Sequence, residues 1–335
     1  MKAVTTMKTT RSYWIALLAA SQLIVPLASH AGTSAAPAPV VTQPASVEKG
    51  PPLPLQTIDG VGGILITPTA YLVNTSERLT SFAGMPSFSF TYVGLNSQNI
   101  EAIGANETLF QRLELGYSGS RFGLGSFNNA VYRAAGIHLS RSDVYVDNYS
   151  ARILALPENS FGTSYLPAIT AGAQIKSSTG VETINRELGG ALTSIGYRRD
   201  NSVDYTLTAT KALKYPWTLD RPLLLSLGVR LSEAAWLGYV GYGDHYKATI
   251  EANFAYSITD WLWLAGEFRQ NQYPYSHSIT VNGYELVRPE SDWWTLGAAF
   301  VLSKHATVTV GYGYFGGILN SDVKAGWAAQ LKYEF

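Results

Sequence analysis

The sequence predicts an all-β protein, a single antiparallel β-barrel that spans a membrane. Three observations lead to this prediction: long stretches in which apolar and polar residues alternate, connections that are short and long in turn, and a final stretch, "WAAQLKYEF" at 327–335, that ends on an aromatic residue. A period of two places alternate side chains on opposite faces of a strand. A strand with one apolar and one polar face fits a wall between hydrocarbon and water.

The N-terminus has the features of an export signal. A basic leader without acidic residues precedes an apolar run over 13–28, and Ser29 and Ala31 supply the small residues at which a signal peptidase cuts. A membrane anchor is the alternative, but the run is shorter than the roughly 20 residues of a spanning helix and contains Gln22 and Pro26. The predicted parts are a signal peptide over 1–31, a disordered Pro- and Ala-rich periplasmic leader over 32–56, and the barrel over 57–335.

Composition and charge exclude several classes of protein. There is no Cys, which excludes a disulfide framework, a thiolate nucleophile, cysteine-ligated zinc and a lipid anchor on cysteine. Only 14% of the residues are charged, against about 25% in typical soluble domains. Without the signal peptide the net charge is slightly negative, so no basic field is available for nucleic acid. The histidines lack a metal-ligand spacing, and we expect no cofactor and no metal.

The alternating stretches predict twelve strands. In "KATIEANFAYS" at 247–257, for example, apolar residues occupy the even positions and mostly polar residues the odd ones. The stretches match the ~9–11 residues of a tilted membrane-crossing strand better than the ~5–6 of soluble sheets. The candidates are 60–67, 87–95, 107–118, 129–141, 166–176, 202–213, 221–231, 247–257, 260–271, 291–302, 305–315 and 325–335.

Three segments leave details of the barrel open. Residues 143–156 and 190–198 also fit strands and would raise the number to 14, whereas 181–188 fits either a short helix in a loop or part of the barrel. An even number of strands places both termini on one side of the membrane, which we take to be the periplasmic side.

The connections differ in length and composition. Residues 257–260 and 303–305 are tight turns, and 232–246 and 271–291 are long loops rich in Trp and Tyr. Short periplasmic turns and long outer loops are typical of membrane barrels. The loop aromatics fit an anchor in the lipid headgroup layer, or, as the alternative, a surface that stacks on sugars.

In these respects the chain resembles bacterial outer-membrane β-barrels. In that class a C-terminal aromatic strand is the signal that the barrel-assembly machinery reads, and residues 327–335 are similar to such a signal through Trp327, Leu331, Tyr333 and Phe335. The resemblance implies a location in the outer membrane of a Gram-negative bacterium, surrounded by lipid and lipopolysaccharide. It also implies periplasmic chaperones and the barrel-assembly machinery as partners.

A narrower resemblance is to a family of proteobacterial outer-membrane proteins, domain-of-unknown-function family 3034. It rests on "DGVGGILITPTAYLVN" (59–74), "GGALTSIGYRRDNSVDYTLTATK" (189–211), "DWLWLAGEFRQ" (260–270) and the closing "KYEF". The family carries no established activity, so this resemblance supports fold and location only. The stretch "GGILITPTA" is also similar to the start of barrel proteins encoded with exopolysaccharide clusters.

The alternation assigns charged side chains of both signs to the lumen. They either pair into a salt-bridged plug, which is the simpler interpretation, or line a water-filled path. Twelve strands lie between the filled 8-stranded barrels and the open porins, so size does not decide. A small-solute channel is the favoured function, and an outer-membrane structural or exopolysaccharide-associated protein is the alternative. The lumen candidates are Arg112, Glu114, Lys176, Asp204, Arg230, Lys247, Glu251, Glu267, Arg269, Lys332 and Glu334.

An outer-membrane lipid hydrolase is a further alternative. His138 and Ser140 in "GIHLSR" would lie on one face of the predicted strand at 129–141, where the His can take the proton of the Ser hydroxyl. This pair resembles the His-x-Ser pair of outer-membrane lipid A deacylases, in which a carboxylate orients the His. The sequence assigns no carboxylate to that role, and a chance occurrence is the simpler interpretation.

Overall fold

The computed structural model describes residues 55–76, 81–214, 216, 219–271, 273–275, 278–320 and 324–335. Twelve strands form a closed barrel in which every strand is antiparallel to both neighbours, which confirms the predicted fold. The signal peptide and most of the leader predicted from the sequence lie outside the described residues. The barrel strands are β1 (Ser87–Leu95), β2 (Gln98–Leu109), β3 (Leu113–Gly123), β4 (Asp143–Leu156), β5 (Ala168–Thr179), β6 (Asn201–Leu213), β7 (Leu223–Ala234), β8 (Tyr242–Ser257), β9 (Leu262–Arg269), β12 (Trp293–Val301), β13 (Ala306–Tyr314) and β14 (Ala325–Glu334), with a separate hairpin of β10 (Ile279–Val281) and β11 (Tyr284–Val287).

The two faces of the wall follow the alternation in the sequence. On β7, Leu227 points outward and is 61% exposed, whereas its neighbours Ser226 and Arg230 point inward and are buried. The same alternation of exposed apolar and buried polar residues continues along β6 and β8. The outer face is therefore compatible with bilayer hydrocarbon, and the inner face is polar.

The barrel closes between its first and last strands. β1 pairs with β14 from Ser87 opposite Glu334 to Gly94 opposite Trp327. Trp327, Leu331, Tyr333 and Phe335 are all exposed on the outer face, as the alternation predicts. Their role as an assembly signal stays a prediction.

Two of the predicted strands are wrong. Residues 60–67 form turns, and 129–141 covers helix α1 (Phe127–Ala135) with the irregular chain that follows it. In α1 the buried residues are Phe127, Ala130, Val131 and Ala134, which is a helical spacing, and Gly136 ends the helix in the left-handed conformation.

The number of strands is nevertheless twelve, because one predicted strand corresponds to two strands and one optional strand is formed. The predicted strand at 107–118 covers parts of β2 and β3, joined by a tight turn in which Phe110 and Gln111 both have positive φ. Such turns usually carry Asn-Gly, and the residues at this position contain no such turn signal. Residues 143–156 form β4, the optional strand of the sequence prediction.

The helix alternative is correct in the connection between β5 and β6. This connection contains α2 (Val181–Glu187) and α3 (Ala191–Ile195), so 190–198 is not a strand. None of the helices in the described residues is long and apolar enough to cross a membrane.

The two ends of the barrel differ. The terminal rim, where Ser87 pairs with Glu334, has tight turns at 110–112, 258–261 and 302–305. The opposite end, the loop rim, has the long connections at 124–142, 180–200 and 270–292. The predicted long loop at 232–246 is mostly strand, because β7 and β8 extend to Ala234 and Tyr242.

The connections at the loop rim fold together into a lid whose apolar side chains belong to the buried core of the protein. Phe127 and Val131 of α1, Ile184 of α2 and Tyr239 belong to this core. Asn282 Nδ2 in the β10–β11 turn donates to the Ala134 carbonyl oxygen at 2.7 Å and ties the hairpin to α1. Most loop aromatics pack inside the lid, whereas the sequence interpretation placed them at the surface. Trp236, Tyr239, Tyr242 and Tyr275 are buried, and Tyr246 and Tyr284 are exposed.

A partly buried acid joins two parts of the lid. Glu290 Oε1 accepts the backbone N–H of Trp236 at 2.7 Å. Burial of its carboxyl beneath the lid raises the pKa of Glu290 to about 8, although the Trp236 N–H and the nearby Arg269 oppose that shift. Tyr273 and Tyr275 also face this carboxyl.

Leu227→Arg should destabilise the barrel if the outer wall faces hydrocarbon. We expect a loss of about 2–4 kcal/mol in the free energy of unfolding, measured by denaturant titration in lipid vesicles. Leu302→Arg is the control, because Leu302 is 64% exposed in a terminal-rim turn and the loss there should be about 0–1 kcal/mol. Equal losses at the two sites would contradict a membrane-facing wall.

The lid should loosen in mildly alkaline solution. Because the folded-state pKa of Glu290 lies above the ordinary value of 4.5, its contribution to stability is complete below about pH 4.5 and is lost as the pH rises through about 8. We expect proteinase K to cleave the lid faster at pH 9 than at pH 6, and Glu290→Gln to abolish most of that difference. The same pH dependence in the variant would show that Glu290 is not the responsible group.

Candidate functional site

The lumen of the barrel is filled by the chain that precedes β1. Residues 55–76, which we call the plug segment, are buried without interruption from Leu55 to Ala70. The plug segment is a compact series of turns held by its own backbone hydrogen bonds, such as Ile58 N to Leu65 O at 2.8 Å and Ile64 N to Thr67 O at 3.0 Å. The leader predicted over 32–56 therefore has its last two residues, Leu55 and Gln56, buried in the barrel.

Two glycines allow the plug segment to fit. Gly60 has φ +76°, and a Cβ there would lie 2.7 Å from Ser118 Cβ of the wall. A Cβ on Gly63 would lie 2.3 Å from the Thr67 carbonyl oxygen. The "GVGG" stretch therefore provides a tight turn against the wall.

Glu267 of β9 binds the backbone of the plug segment. Its Oε1 accepts the successive N–H groups of Leu65, Ile66 and Thr67 at 3.0, 2.8 and 2.8 Å, and the Thr67 hydroxyl at 2.9 Å. Thr295 donates its hydroxyl to the other carboxylate oxygen at 2.5 Å. Consecutive N–H groups around one carboxylate form an anion-binding nest, here with the barrel supplying the anion.

Asp59 at the tip of the plug segment lies among three cations of the wall. Lys176 Nζ is 3.1 Å from Asp59 Oδ1, and the guanidinium groups of Arg230 and Arg269 are each 3.8 Å from Oδ2. Asn148 Nδ2 donates to the Asp59 carbonyl oxygen at 2.5 Å.

The same cations are also paired within the wall. Asp204 Oδ2 lies 3.1 Å from Lys176 Nζ and 3.1 Å from Arg230 Nη1. Glu251 Oε1 lies 2.7 Å from Arg230 Nε and 3.6 Å from Arg269 Nε. Lys176 and Asp204 have no exposed side-chain surface, so this network is closed to solvent.

A second ion pair holds the end of the plug segment nearer the terminal rim. Arg152 of β4 donates to Glu114 of β3 through Nε and Nη2, at 2.9 and 2.8 Å. Glu114 also accepts the N–H groups of Gly62 and Val73, and Arg152 Nη1 donates to the Thr69 carbonyl oxygen at 2.7 Å. One buried pair thus binds both N–H and carbonyl groups of the plug segment.

The inward charges are not distributed evenly around the barrel. Each of the consecutive strands β3 to β9, which we call the anchoring wall, carries at least one buried inward charge. On β12, β13, β14 and β1, which we call the neutral wall, the inward residues are Ser, Thr, Gly, Ala, Gln and a few apolar side chains, and its charges Lys332 and Glu334 lie at the terminal rim.

Most of the predicted lumen residues are inside the barrel. Glu114, Lys176, Asp204, Arg230, Glu251, Glu267, Arg269 and Lys332 are buried, and Glu334 lies partly exposed at the rim, 2.6 Å from Lys332 Nζ.

Arg112 and Lys247 need correction. Arg112 lies exposed in the β2–β3 turn, because the turn signal was missed, and donates to the Leu154 carbonyl oxygen at 3.2 Å. Lys247 is exposed towards the loop rim and donates to the Tyr273 carbonyl oxygen.

Two central residues were not among the predicted lumen residues. Arg152 lies on β4, which was only an optional strand, although its position in that alternation would have placed it inside. Asp59 precedes the predicted barrel and lies next to "GVGG". An acidic residue in an otherwise apolar and glycine-rich stretch was the only available signal.

The hydrolase candidates do not lie on a strand. His138 and Ser140 follow α1 in an irregular connection, and the His138 ring stacks on Tyr132 with centroids 4.2 Å apart. Ser140 bonds to Glu187, through both its hydroxyl and its N–H. The described contacts therefore give Ser140 a carboxylate partner and do not reproduce the strand-based pair.

Comparisons with solved structures give weak similarity to outer-membrane barrels. A KdgM porin has 10% identity and a TM-score of 0.44 over 74% of this chain and 99% of that chain. Omp33 of Acinetobacter baumannii has 8% identity and a TM-score of 0.39 over 76% and 99%. Outer membrane phospholipase A from Escherichia coli has 8% identity and a TM-score of 0.36 over 80% and 98%.

The family comparison is more informative. None of the curated proteins compared matches the chain in sequence. The family described as "Protein of unknown function (DUF3034)" matches residues 54–332, which include the whole plug segment and all but the end of the last strand. The chain belongs to this family of unknown function.

Proposed function

We propose that the protein is an outer-membrane channel for a small solute, closed in the present conformation by its own plug segment. The observation that supports this proposal is the self-contained pairing of the anchoring wall. Arg152 pairs with Glu114, Lys176 with Asp204, and Arg230 and Arg269 both with Glu251. Glu267 is bound by the plug segment and Thr295, and its charge makes the four anions of these strands equal in number to the four cations. If the plug segment moves aside, the wall remains electrically balanced and can be hydrated.

The closed state follows from burial. In this 12-stranded barrel the wall side chains leave room for a segment of chain, and residues 55–70 are buried in that room. The plug segment leaves charged wall residues such as Lys176, Asp204 and Glu114 without exposed surface. Conduction therefore requires the plug segment to move away from at least part of the wall.

The chemistry of the contact supports a displaceable plug. Removing charges from water is costly, and well-packed apolar residues often stabilise a protein as well as a buried ion pair does. A permanent filling would need polar partners for the backbone of the plug segment, but it would not need the charged side-chain contact between Asp59 and the wall. Polar groups on both surfaces can instead exchange their partners for water when the two surfaces separate.

The location and assembly complete the proposal. The signal peptide directs export, the outward aromatic row of β14 is read during assembly, and the barrel lies in the outer membrane of a Gram-negative bacterium with the terminal rim in the periplasm. The apolar outer wall and the long connections at the loop rim support this orientation. A permanently closed structural barrel is the alternative that the following experiment separates.

Asp59→Asn should increase the open fraction in planar bilayers by about tenfold or more. The substitution releases the tip of the plug segment, while Lys176, Arg230 and Arg269 keep their partners in the wall. Breaking one partnership of a buried ion pair costs several kcal/mol, about 3–5 in typical cases.

The control for this experiment is Asp147→Asn. Asp147 lies on the outer face of β4, accepts a hydrogen bond from Tyr117 at 2.7 Å, and undergoes the same change of charge. The Asp147→Asn variant should conduct like the unmodified protein. If Asp59→Asn folds into a heat-modifiable barrel and remains as silent as this control, the barrel is structural and the channel proposal is wrong.

A further inference from the structure

We propose that the permeating solute is uncharged and rich in hydroxyl groups, and that it crosses the barrel along the neutral wall, between that wall and the plug segment. This inference rests on the proposed channel function and names its route and its class of solute.

The first observation is the chemistry of the neutral wall. Between the loop rim and Gln330 its inward side chains carry no charge, and Thr91, Thr295, Thr309 and Gln330 provide groups that both donate and accept hydrogen bonds. Gly297 and Gly311 lie among them and leave space at mid-height. Glu267 also lines the gap, but its carboxylate is already bound by the plug segment and by Thr295. A charged solute on this side would therefore lose hydration without gaining a free counter-charge, whereas hydroxyl groups can exchange water for these partners.

The second observation is how the plug segment meets this wall. Among the described residues, the polar contact between them is a reciprocal pair, with Gln56 N to Gln330 Oε1 at 3.3 Å and Gln330 Nε2 to Gln56 O at 2.6 Å. Ile64 and Leu65 cover the wall elsewhere with aliphatic side chains, and a cavity of about 20 Å³ lies between them and Thr295 and Thr309. That space is enough for one water molecule.

The third observation is that buried polar groups without partners occur along this side, as they also do on the anchoring wall, for example at Gln174 and Asn253. Both side-chain amide atoms of Gln56 are buried, and neither has a hydrogen-bond partner among the described residues. The indole N–H of Trp293, at the loop-rim end of β12, is in the same situation. Burying such groups unpaired costs free energy, so they favour a ligand that supplies hydrogen-bonding groups along this side.

The shape of the gap agrees with this class of solute. One side includes Thr295, Thr309 and Gln330 of the wall together with Glu267 and small residues, and the other side is formed by the aliphatic side chains of Ile64 and Leu65. A small sugar or polyol has polar edges and C–H faces, and so matches both sides. The anchoring wall is unsuited to this passage because its inward charges are occupied by the plug segment and by one another.

Single cysteines can test the route, since the chain contains no Cys. The background is Ile64→Ala with Leu65→Ala, which widens the gap and leaves Asp59 and its cations in place. Thr309→Cys marks the neutral wall, and Thr208→Cys marks the inward face of β6 in the anchoring wall, where Thr208 is buried. The measurement is planar-bilayer conductance before and after a sulfonate-bearing methanethiosulfonate reagent.

We expect the background to conduct. The reagent should reduce the current of Thr309→Cys at least twofold and shift its selectivity towards cations, and it should leave Thr208→Cys unchanged. In liposome-swelling assays the background should admit arabinose at least threefold faster than gluconate.

The outcomes separate the inference from the proposed function. A conducting background in which Thr208→Cys responds and Thr309→Cys does not, or which admits gluconate as fast as arabinose, overturns the route or the solute class and leaves the channel intact. If the background and Asp59→Asn are both silent although folded, the channel and this inference are both wrong. Thr307→Cys, one position nearer the terminal rim on the same face of β13, replaces Thr309→Cys if that variant does not fold.

Discussion

The structure depends on one electrostatic constraint, which is that the backbone of the plug segment must find polar partners inside a barrel that excludes water. Charged side chains of the wall supply those partners. Glu267 binds three successive N–H groups, and Glu114 binds two more. Arg152 donates hydrogen bonds to carbonyl groups of the plug segment. Because unpaired buried backbone groups are costly, the segment and the wall specify each other.

This constraint explains why charges are buried on so many neighbouring strands. An anion or a cation alone would be expensive in the lumen, but each wall charge has a neighbour of opposite sign or a nest of N–H groups. Asp59 adds a negative charge at the point where Lys176, Arg230 and Arg269 converge. The neutral wall does not bind the plug segment through charged side chains, and its small residues leave space for the aliphatic side of that segment.

Much of the barrel could be predicted from the sequence because a membrane-facing wall imposes a strict period of two. That period correctly assigned the outward row of β14 and, apart from Lys247, the inward charges of β5 to β9. It could not identify the turn at Phe110 and Gln111, because these residues have positive φ but are not the Asn or Gly that usually marks such a turn. The apolar residues of α1 were also read as a strand. Short apolar runs do not distinguish strand from helix.

The plug could not be predicted, because its partners are distant in sequence. "GGILITPTA" has the apolar composition of a strand, and only the contacts of its N–H groups with Glu267, about 200 positions later, show that it is a set of turns. The sequence did allow a salt-bridged lumen as one of two interpretations, and the structure agrees with it. The residue that joins the plug to that network, Asp59, had no signal beyond its charge.

Amide hydrogen exchange of the full-length protein in detergent tests the central claim most directly. If the plug segment lies in the lumen with its N–H groups bonded to the wall, the peptide containing Leu65, Ile66 and Thr67 will exchange as slowly as peptides from β7 and β8. Exchange of that peptide within seconds, in a barrel whose strands remain protected, would show that the plug segment is not held by Glu267 and would contradict the account.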